Sequence, residues 1–284
     1  MMATDEKNSG DFWIFSLDDP ELYHFYTAQA NNTSLYYTLY IEECMKDFSP
    51  EKRKVMHLQN KHILLVDNYL IPLYCQLPLK GYLIAVTEAF CELDVHKALL
   101  KLLFFHHTPE GMRDLGPANE AQEKCLNLIY EEYHKVPDDL QIPIIKSLTV
   151  NLFLLSSVIN YEKPMKAGHL LNYALQFMDL MNEHAFREKT KSFYAEKIGI
   201  TESVLAQALQ VIFNRTFRKL LIYQTLVEAM KKLVFTNKSV AQIAHELNYD
   251  ASGFNKLFLK WKGMSPKDLR INYRELAEYV EYNY

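Results

Sequence analysis

Residues 239–270, SVAQIAHELNYDASGFNKLFLKWKGMSPKDLR, hold two helical periods separated by only three turn-prone residues, a pattern few folds accommodate. Ser239 caps the first helix in this reading, and Gln242 three residues on completes a capping box. Val240, Ile243, Ala244 and Leu247 then follow helical spacing until Asn248, Tyr249 and Asp250 interrupt it. A second helix starts near Ser252, with Phe254, Leu257, Phe258 and Trp261 at i, i+3, i+4 and i+7. Gly263 ends it as a C-terminal cap, and Ser265-Pro266 opens another helix. Two short helices joined by a tight turn predict a helix-turn-helix.

The outward face of the second helix carries Ser252, Gly253, Asn255, Lys256 and Lys260. Small, amide and cationic groups on one stripe suit base edges and phosphates in a major groove, although on an arbitrary helix they would be only a solvated face. An upstream copy favours the first reading. In AEKIGITESVLAQALQVIFN, from Ala195, Gly199 makes the turn and Thr201 caps the next helix. Leu205, Ala208, Leu209 and Ile212 form its inner stripe, while Ser203, Ala206, Gln207 and Gln210 face outward at offsets equivalent to those of the later helix. Between the copies, Leu220 to Val234 contains neither proline nor glycine, and Leu220, Val227, Met230 and Val234 fit one continuous connecting helix. Two such units on a rigid connector suit successive major grooves, about 34 Å apart on one side of a duplex.

The net charge of −4 alone argues against a nucleic-acid partner, but its distribution reverses that. Residues 1–168 hold 15 Lys+Arg against 23 Asp+Glu, whereas residues 169–274 hold 16 against 9, and the tail 275–284 adds −3. A basic C-terminal module behind an acidic half is the asymmetry of a DNA-binding domain joined to something else.

The ordered landmarks YAEKIGIT, VEAMKKL, SVAQIAHELNY and FNKLFLKWKGMSP, closed by Arg270, resemble the DNA-binding domain of the AraC/XylS family of bacterial transcription regulators. The shared features are Tyr194-Ala195, Gly199, Ala229, Ile243-Ala244, Phe254 and Phe258, then Gly263, Pro266 and Arg270. The resemblance implies promoter DNA as partner, a cytoplasmic location, and contact with RNA polymerase if the protein is an activator. This sequence departs from the family where Asn214 and Asn248 replace common glycines, and the segment from Tyr249 to Phe254 is one residue short. Family arginines fall on Gln207, Thr225 and Lys256. The first copy thus presents amides where relatives present cations.

Residues 11 to about 95 read mostly as strands: Trp13 to Phe15, Leu35 to Ile41, His62 to Tyr69 and Gly81 to Thr87 are rich in β-branched and aromatic residues. Short strands without alternating helices predict an antiparallel barrel or sandwich. Their order, followed by GYLI, EAF and FFHHTPEG, is similar to the cupin-like N-terminal domains attached to many regulators of this family. A metal-binding cupin needs an H-x-H pair, a carboxylate and a distant third histidine. His57, His62, His96 and the adjacent His106-His107 do not supply it, so neither metal nor cofactor is expected. Tyr36, Tyr40, Tyr69 and Tyr82 are candidate walls of a pocket for a small neutral effector, and would serve equally as core packing. Arginine is scarce in this half, only Arg53 and Arg113, which disfavours a dianionic ligand.

Asn119 to Tyr133 and Leu140 to Ile159 turn helical, with Pro137-Asp138-Asp139 as a short connector, which predicts an antiparallel pair. Ile144, Ile145, Leu148, Leu152, Leu155 and Ile159, widened by Phe153, form the apolar stripe of the second helix. Part of it is available for a homodimer, as in this family, or all of it is internal core. Asn160 to Gly168 reads as a linker, followed by a helix from His169 to Ala185 that carries Leu171, Leu175, Met178 and Leu180. Cys44, Cys75, Cys91 and Cys125 are scattered, as in a reduced compartment, and no run is apolar enough to span a membrane.

The expected fold class is α+β. A cupin-like antiparallel β-barrel with a helical pair occupies residues 1–160, a linker 161–168, and an all-α domain with two helix-turn-helix motifs 169–284. The expected function is sequence-specific, effector-controlled DNA binding with no catalysis, in a homodimer. Two competing readings are a metal-dependent cupin enzyme and a family member acting mainly through protein contacts.

Overall fold

The computed structural model describes residues 11–29, 35–44, 59–66, 70–71, 74, 77, 79–90, 112–158 and 168–273. The chain divides into two compact units, and the described residues up to 158 belong to the first and those from 168 on to the second. The architecture is α+β, with a sheet in the first unit and, among the described residues, helices alone in the second.

In the first unit, β1 (Phe12–Ser16), β2 (Leu35–Cys44), β3 (His62–Val66), β4 (Leu79–Thr87) and β5 (Met112–Pro117) form one antiparallel sheet in the order β1-β4-β2-β3-β5. Among the described residues the sheet is open, with β1 and β5 as its edges, so the expected barrel does not close there. The five strands among the described residues are fewer than the roughly eight that give a closed barrel room for its own side chains. A bulge between Ile41 and Glu43 bends β2 opposite Gly81. Gly81 has φ +142°, and a Cβ there would collide with the Tyr40 carbonyl oxygen, so only glycine fits.

Both faces of the sheet are covered. On one, Phe15 and Trp13 meet Phe25 of α1 (Glu21–Gln29), with ring centroids 4.9 and 5.1 Å apart. The expectation of mostly strands does not single out α1, whose ELYHFYTAQ owes its strand-like composition to three aromatic rings. The strand β5 also goes beyond the sequence reading. On the other face lies α2 (Glu120–Tyr133), whose Tyr130 and Tyr133 reach Tyr82 and Phe12. A full capping box of Asn119 and Gln122 starts α2.

The helix α3 (Gln141–Val158) lies antiparallel to α2. Gln122 at the start of α2 donates to Ser156 Oγ near the end of α3 (3.1 Å), and Gln141 at the start of α3 donates to the Glu132 carbonyl near the end of α2 (2.8 Å). The apolar stripe read from the sequence needs correction. Ile145, Leu152 and Phe153 are buried, but Ile144 faces outward, and Gln141, Thr149 and Ser156 complete the inner face. Three apolar side chains of this pair, Leu128, Ile144 and Leu154, are exposed, as is Leu140 just ahead of α3. Cys44 is buried and Cys125 half-buried, while Cys75 and Cys91 lie outside the described residues.

The second unit begins with α4 (Gly168–His184), which packs on α6 (Glu202–Phe213). Its inner stripe is Leu170, Ala174, Phe177, Met178 and Met181, and Leu171, Leu175 and Leu180 are half-buried beside it. Next come α5 (Lys191–Ile198) and α7 (Phe217–Phe235), the latter continuous as the spacing predicts. Nine of its residues are buried because other helices pack around several of its sides. The unit closes with α8 (Val240–Glu246), α9 (Ala251–Lys262) and a last helix, α10, over 266–273. No described helix is long and apolar enough to cross a membrane.

Candidate DNA-binding surface

The first helix-turn-helix is α5, a turn at Gly199 with φ +78°, and α6. Thr201 begins α6 by accepting a bond from the Val204 amide (3.3 Å), as its position predicts. Leu205, Ala208, Leu209 and Ile212 are all buried. Holding them inward turns Ser203, Ala206, Gln207 and Gln210 outward at i, i+3, i+4 and i+7, and each is exposed. Gln210 is not wholly free, because its Nε2 donates to Asn214 Oδ1 at 2.7 Å. Lys191 pairs with Glu202 at 3.3 Å, which places a partly neutralised carboxylate at the leading end of α6. Behind the motif, the rings of Phe177, Tyr194 and Phe217 pack within 5.3–5.9 Å of one another. Burial pushes the Tyr194 hydroxyl up to about 12, and it donates to the Glu188 carbonyl.

The second helix-turn-helix is α8, a turn through Leu247, Asn248 and Tyr249, and α9. The Ser239–Gln242 capping box forms at both ends, with bonds of 2.7 and 3.2 Å. Asp250 caps α9, accepting from the Gly253 amide at 2.8 Å. The sequence reading treats Asp250 only as a turn residue, although an aspartate three positions ahead of Gly253 is itself the signal. Its carboxyl is held below the usual value by that backbone hydrogen bond.

Phe254, Leu257 and Phe258 are buried, and Trp261 meets Tyr223 of α7 edge-on at 5.4 Å. Ser252, Asn255, Lys256 and Lys260 are therefore turned outward and exposed, and Gly253 is half-buried. Leu259, which the sequence reading passes over, stands exposed on the same stripe. Its spacing of three from Lys256 was the available signal. Thr225, where relatives carry an arginine, is buried and donates to the Leu221 carbonyl, so it presents nothing outward.

Ionic and hydrogen-bonded ties hold α8–α9 to the connector. Glu246 of α8 bridges Lys238 at 2.6 Å and Lys232 of α7 at 3.1 Å. These lysines, Lys238 first, hold the Glu246 carboxyl below its ordinary value. From α10, Arg270 Nε donates to the Leu233 carbonyl at 3.0 Å.

In the first unit, Tyr36, Tyr40 and Tyr82 share one sheet face, with Tyr40 directly opposite Tyr82, while Tyr69 lies outside the described residues. The Tyr82 hydroxyl donates to Asn127 of α2 at 3.4 Å. Tyr40 is pushed up to about 12 by burial first, then by the nearby Glu123 and Glu42 carboxylates. Two of the three described tyrosines thus direct their hydroxyls at α2. His62 pairs with Asp114 at 3.0 Å, and no metal-holding group of His, Cys, Asp or Glu occurs among the described residues. The other histidines weighed, His57, His96, His106 and His107, lie outside them.

Residues 194–272 match the family model described as a helix-turn-helix domain, a span that runs from within α5 to α10. Among solved structures, the chain is similar to ToxT from Vibrio cholerae, known at 1.65 Å resolution. The identity is 10%, over 92% of this chain and 94% of that one, with a TM-score of 0.45. A search of curated protein sequences finds no match.

Proposed function

From a chain that belongs, by its double helix-turn-helix domain, to the AraC/XylS family of DNA-binding transcription regulators, we propose that α9 supplies the sequence preference and α6 a weaker, largely uncharged contact. The observation that carries this reading is the outward stripe of α9. Ser252, Asn255, Lys256 and Lys260 are exposed together, directly behind a buried Phe254–Phe258 anchor. Lysine reaches guanine O6 and N7, asparagine pairs with adenine, and the exposed Leu259 suits a thymine methyl. On α6, Ser203, Gln207 and Gln210 add hydrogen-bonding groups and Ala206 a methyl, none of them a cation, and Glu202 opposes phosphate. Phosphate affinity there falls to exposed Arg218 and Lys219 in the first turn of α7.

The first unit is the regulatory half in this reading. The exposed apolar side chains of α2 and α3 support self-association into a homodimer. A small neutral effector would enter between α2 and the sheet face that carries Tyr36, Tyr40 and Tyr82. Burial first, and then the Glu42 carboxylate, raise the hydroxyls of Tyr40 and Tyr82, so an anionic ligand is disfavoured. If the protein activates transcription, RNA polymerase is a further partner.

Selection of genomic fragments bound by the full-length protein tests the reading. The expected product is a short bipartite motif, with elements about one helical turn apart, that competes against random DNA by at least about a thousandfold. Binding with no sequence preference would overturn it. So would a sequence preference that survives Lys256→Ala and Asn255→Ala together.

A further inference from the structure

The turn of the second motif carries a second attachment that the connector helix does not provide. Asn248 stands there with φ +56°, a conformation glycine adopts freely and Asn tolerates. The equivalent turn of the first motif uses Gly199 at φ +78°. Glycine would serve the backbone at 248 as well, so the amide has another role. Its Nδ2 donates to the Phe186 carbonyl at 2.6 Å, 62 residues away in sequence.

Phe186 belongs to the strap 185–190 that joins α4 to α5, and the strap answers in the other direction. Lys189 Nζ donates to the Asn248 carbonyl at 2.7 Å and to the Leu247 carbonyl at 3.2 Å. The same ammonium sits 3.8 Å from the centroid of the Tyr249 ring. Desolvation lowers the affinity of Lys189 for its proton, as expected of a cation packed into a joint rather than waving in solvent. The strap itself is fastened to the first motif, because the buried Tyr194 of α5 donates to the Glu188 carbonyl at 3.0 Å. A continuous set of bonds therefore runs from α5, through the strap, to the turn just ahead of α9.

We infer that Asn248 and Lys189 form a latch that fixes α9 relative to α6, and so sets the spacing between the two DNA elements the protein accepts. This rests on the reading that both helices dock on DNA. On its α7 side the second motif is held by Glu246, Trp261 and Arg270, which leaves residues 236–239, between α7 and α8, as the place where it would pivot. A second attachment at the far side of the motif removes that pivot. Neither residue belongs to the outward stripes, so the latch acts on geometry and leaves the reading groups in place.

The test uses the full-length protein and the bipartite site recovered by genomic selection, in duplexes whose spacer is native or changed by one base pair. Each base pair moves one element by about 3.4 Å and turns it by roughly 35°. Wild type should lose about tenfold or more in affinity on either altered spacer. The double variant Asn248→Gly, Lys189→Met keeps a residue suited to positive φ and the lysine's apolar stem. It should bind the altered spacers within about threefold of the native one. Its affinity for a duplex carrying one element alone should match that of wild type. A double variant with the steep wild-type profile would sink the latch. So would one weakened equally on every duplex together with a lowered melting temperature, which would make the bonds fold support only. If wild type needs just one element, the double-docking reading fails, and this inference with it; that result is separate from a bipartite site whose profile ignores the variant.

Discussion

In α6 the outward stripe reads Ser203, Ala206, Gln207, Gln210, and in α9 it reads Ser252, Asn255, Lys256, Lys260, while the inward positions of both are filled by apolar side chains at the same offsets. Packing dictates the inner stripe, so the two copies share it. The outer stripe answers to whatever it touches and has drifted apart. The supports have diverged too. The first copy rests on the neutral Thr201 cap and the aromatic cluster of Phe177, Tyr194 and Phe217. The second rests on a charged cap, Asp250, and on the Glu246 bridges. The recognition helix of one copy is thus capped by a hydroxyl, that of the other by a carboxylate.

The largest effect that can break this comparison is loss of a core anchor. Phe258→Ala should destabilise by about 3–5 kcal/mol, since Phe258 is fully buried and a cavity would remain. Leu209→Ala in the first copy should cost about 2–5 kcal/mol for the same reason. Amide hydrogen exchange measured on each variant separates the copies. With α7 as a shared spine, faster exchange is expected in both motifs from either change. A response confined to the mutated motif would show that the copies are energetically separate.

On DNA the outer stripes should differ by less. Lys256→Ala is expected to weaken specific binding by about 1–3 kcal/mol, and Gln207→Ala by less. Equal losses for Lys256→Ala on specific and random duplexes would reduce it to a phosphate contact. Gln207→Arg sharpens the comparison from the other side. Restoring a cation to α6 should tighten binding and steepen the salt dependence by up to about one unit of slope. A flat slope in a folded variant would mean that α6 faces neither groove nor backbone.

These comparisons were open to sequence reasoning because short-range rules decide most of the second unit. Helical spacing located both inner stripes, Gly199 and Gly263 marked turns, and Ser239 with Gln242 announced a cap. Where partners are distant, the sequence is mute. Nothing near Lys189 or Asn248 signals a bond across 59 residues. In the first unit, α1 hides behind aromatic residues that suit strands equally well, and the outward turn of Ile144 depends on where α2 lies. The open sheet follows from how many strands pair, which no local pattern reports. The exposure of the α9 stripe could be read in advance; what it reads on DNA depends on a partner outside the chain.

The smallest effect distinguishes the two copies by their titration. The Asp250 carboxyl is held below its ordinary 3.8 by the Gly253 amide, and that of Glu246 below its ordinary 4.5 by Lys238 and Lys232. A carboxyl whose proton affinity is lower in the folded chain binds fewer protons there than when unfolded. Its stabilisation is therefore complete above the ordinary value and fades as pH falls through the depressed one. At the first copy the cap itself, Thr201, does not titrate. Lowering pH from 6 to 3 should thus raise amide exchange at the start of α9 and in α8 relative to the start of α6, after correction for intrinsic rates. Both groups are near the surface, so the difference should be modest and should shrink in high salt. Asp250→Asn keeps a cap without a titrating group, and Glu246→Gln removes the bridges. Combining them should abolish the pH-dependent difference between the copies while leaving α6 as it was. A difference that persists in the double variant would assign the acid sensitivity of the second copy to some other group.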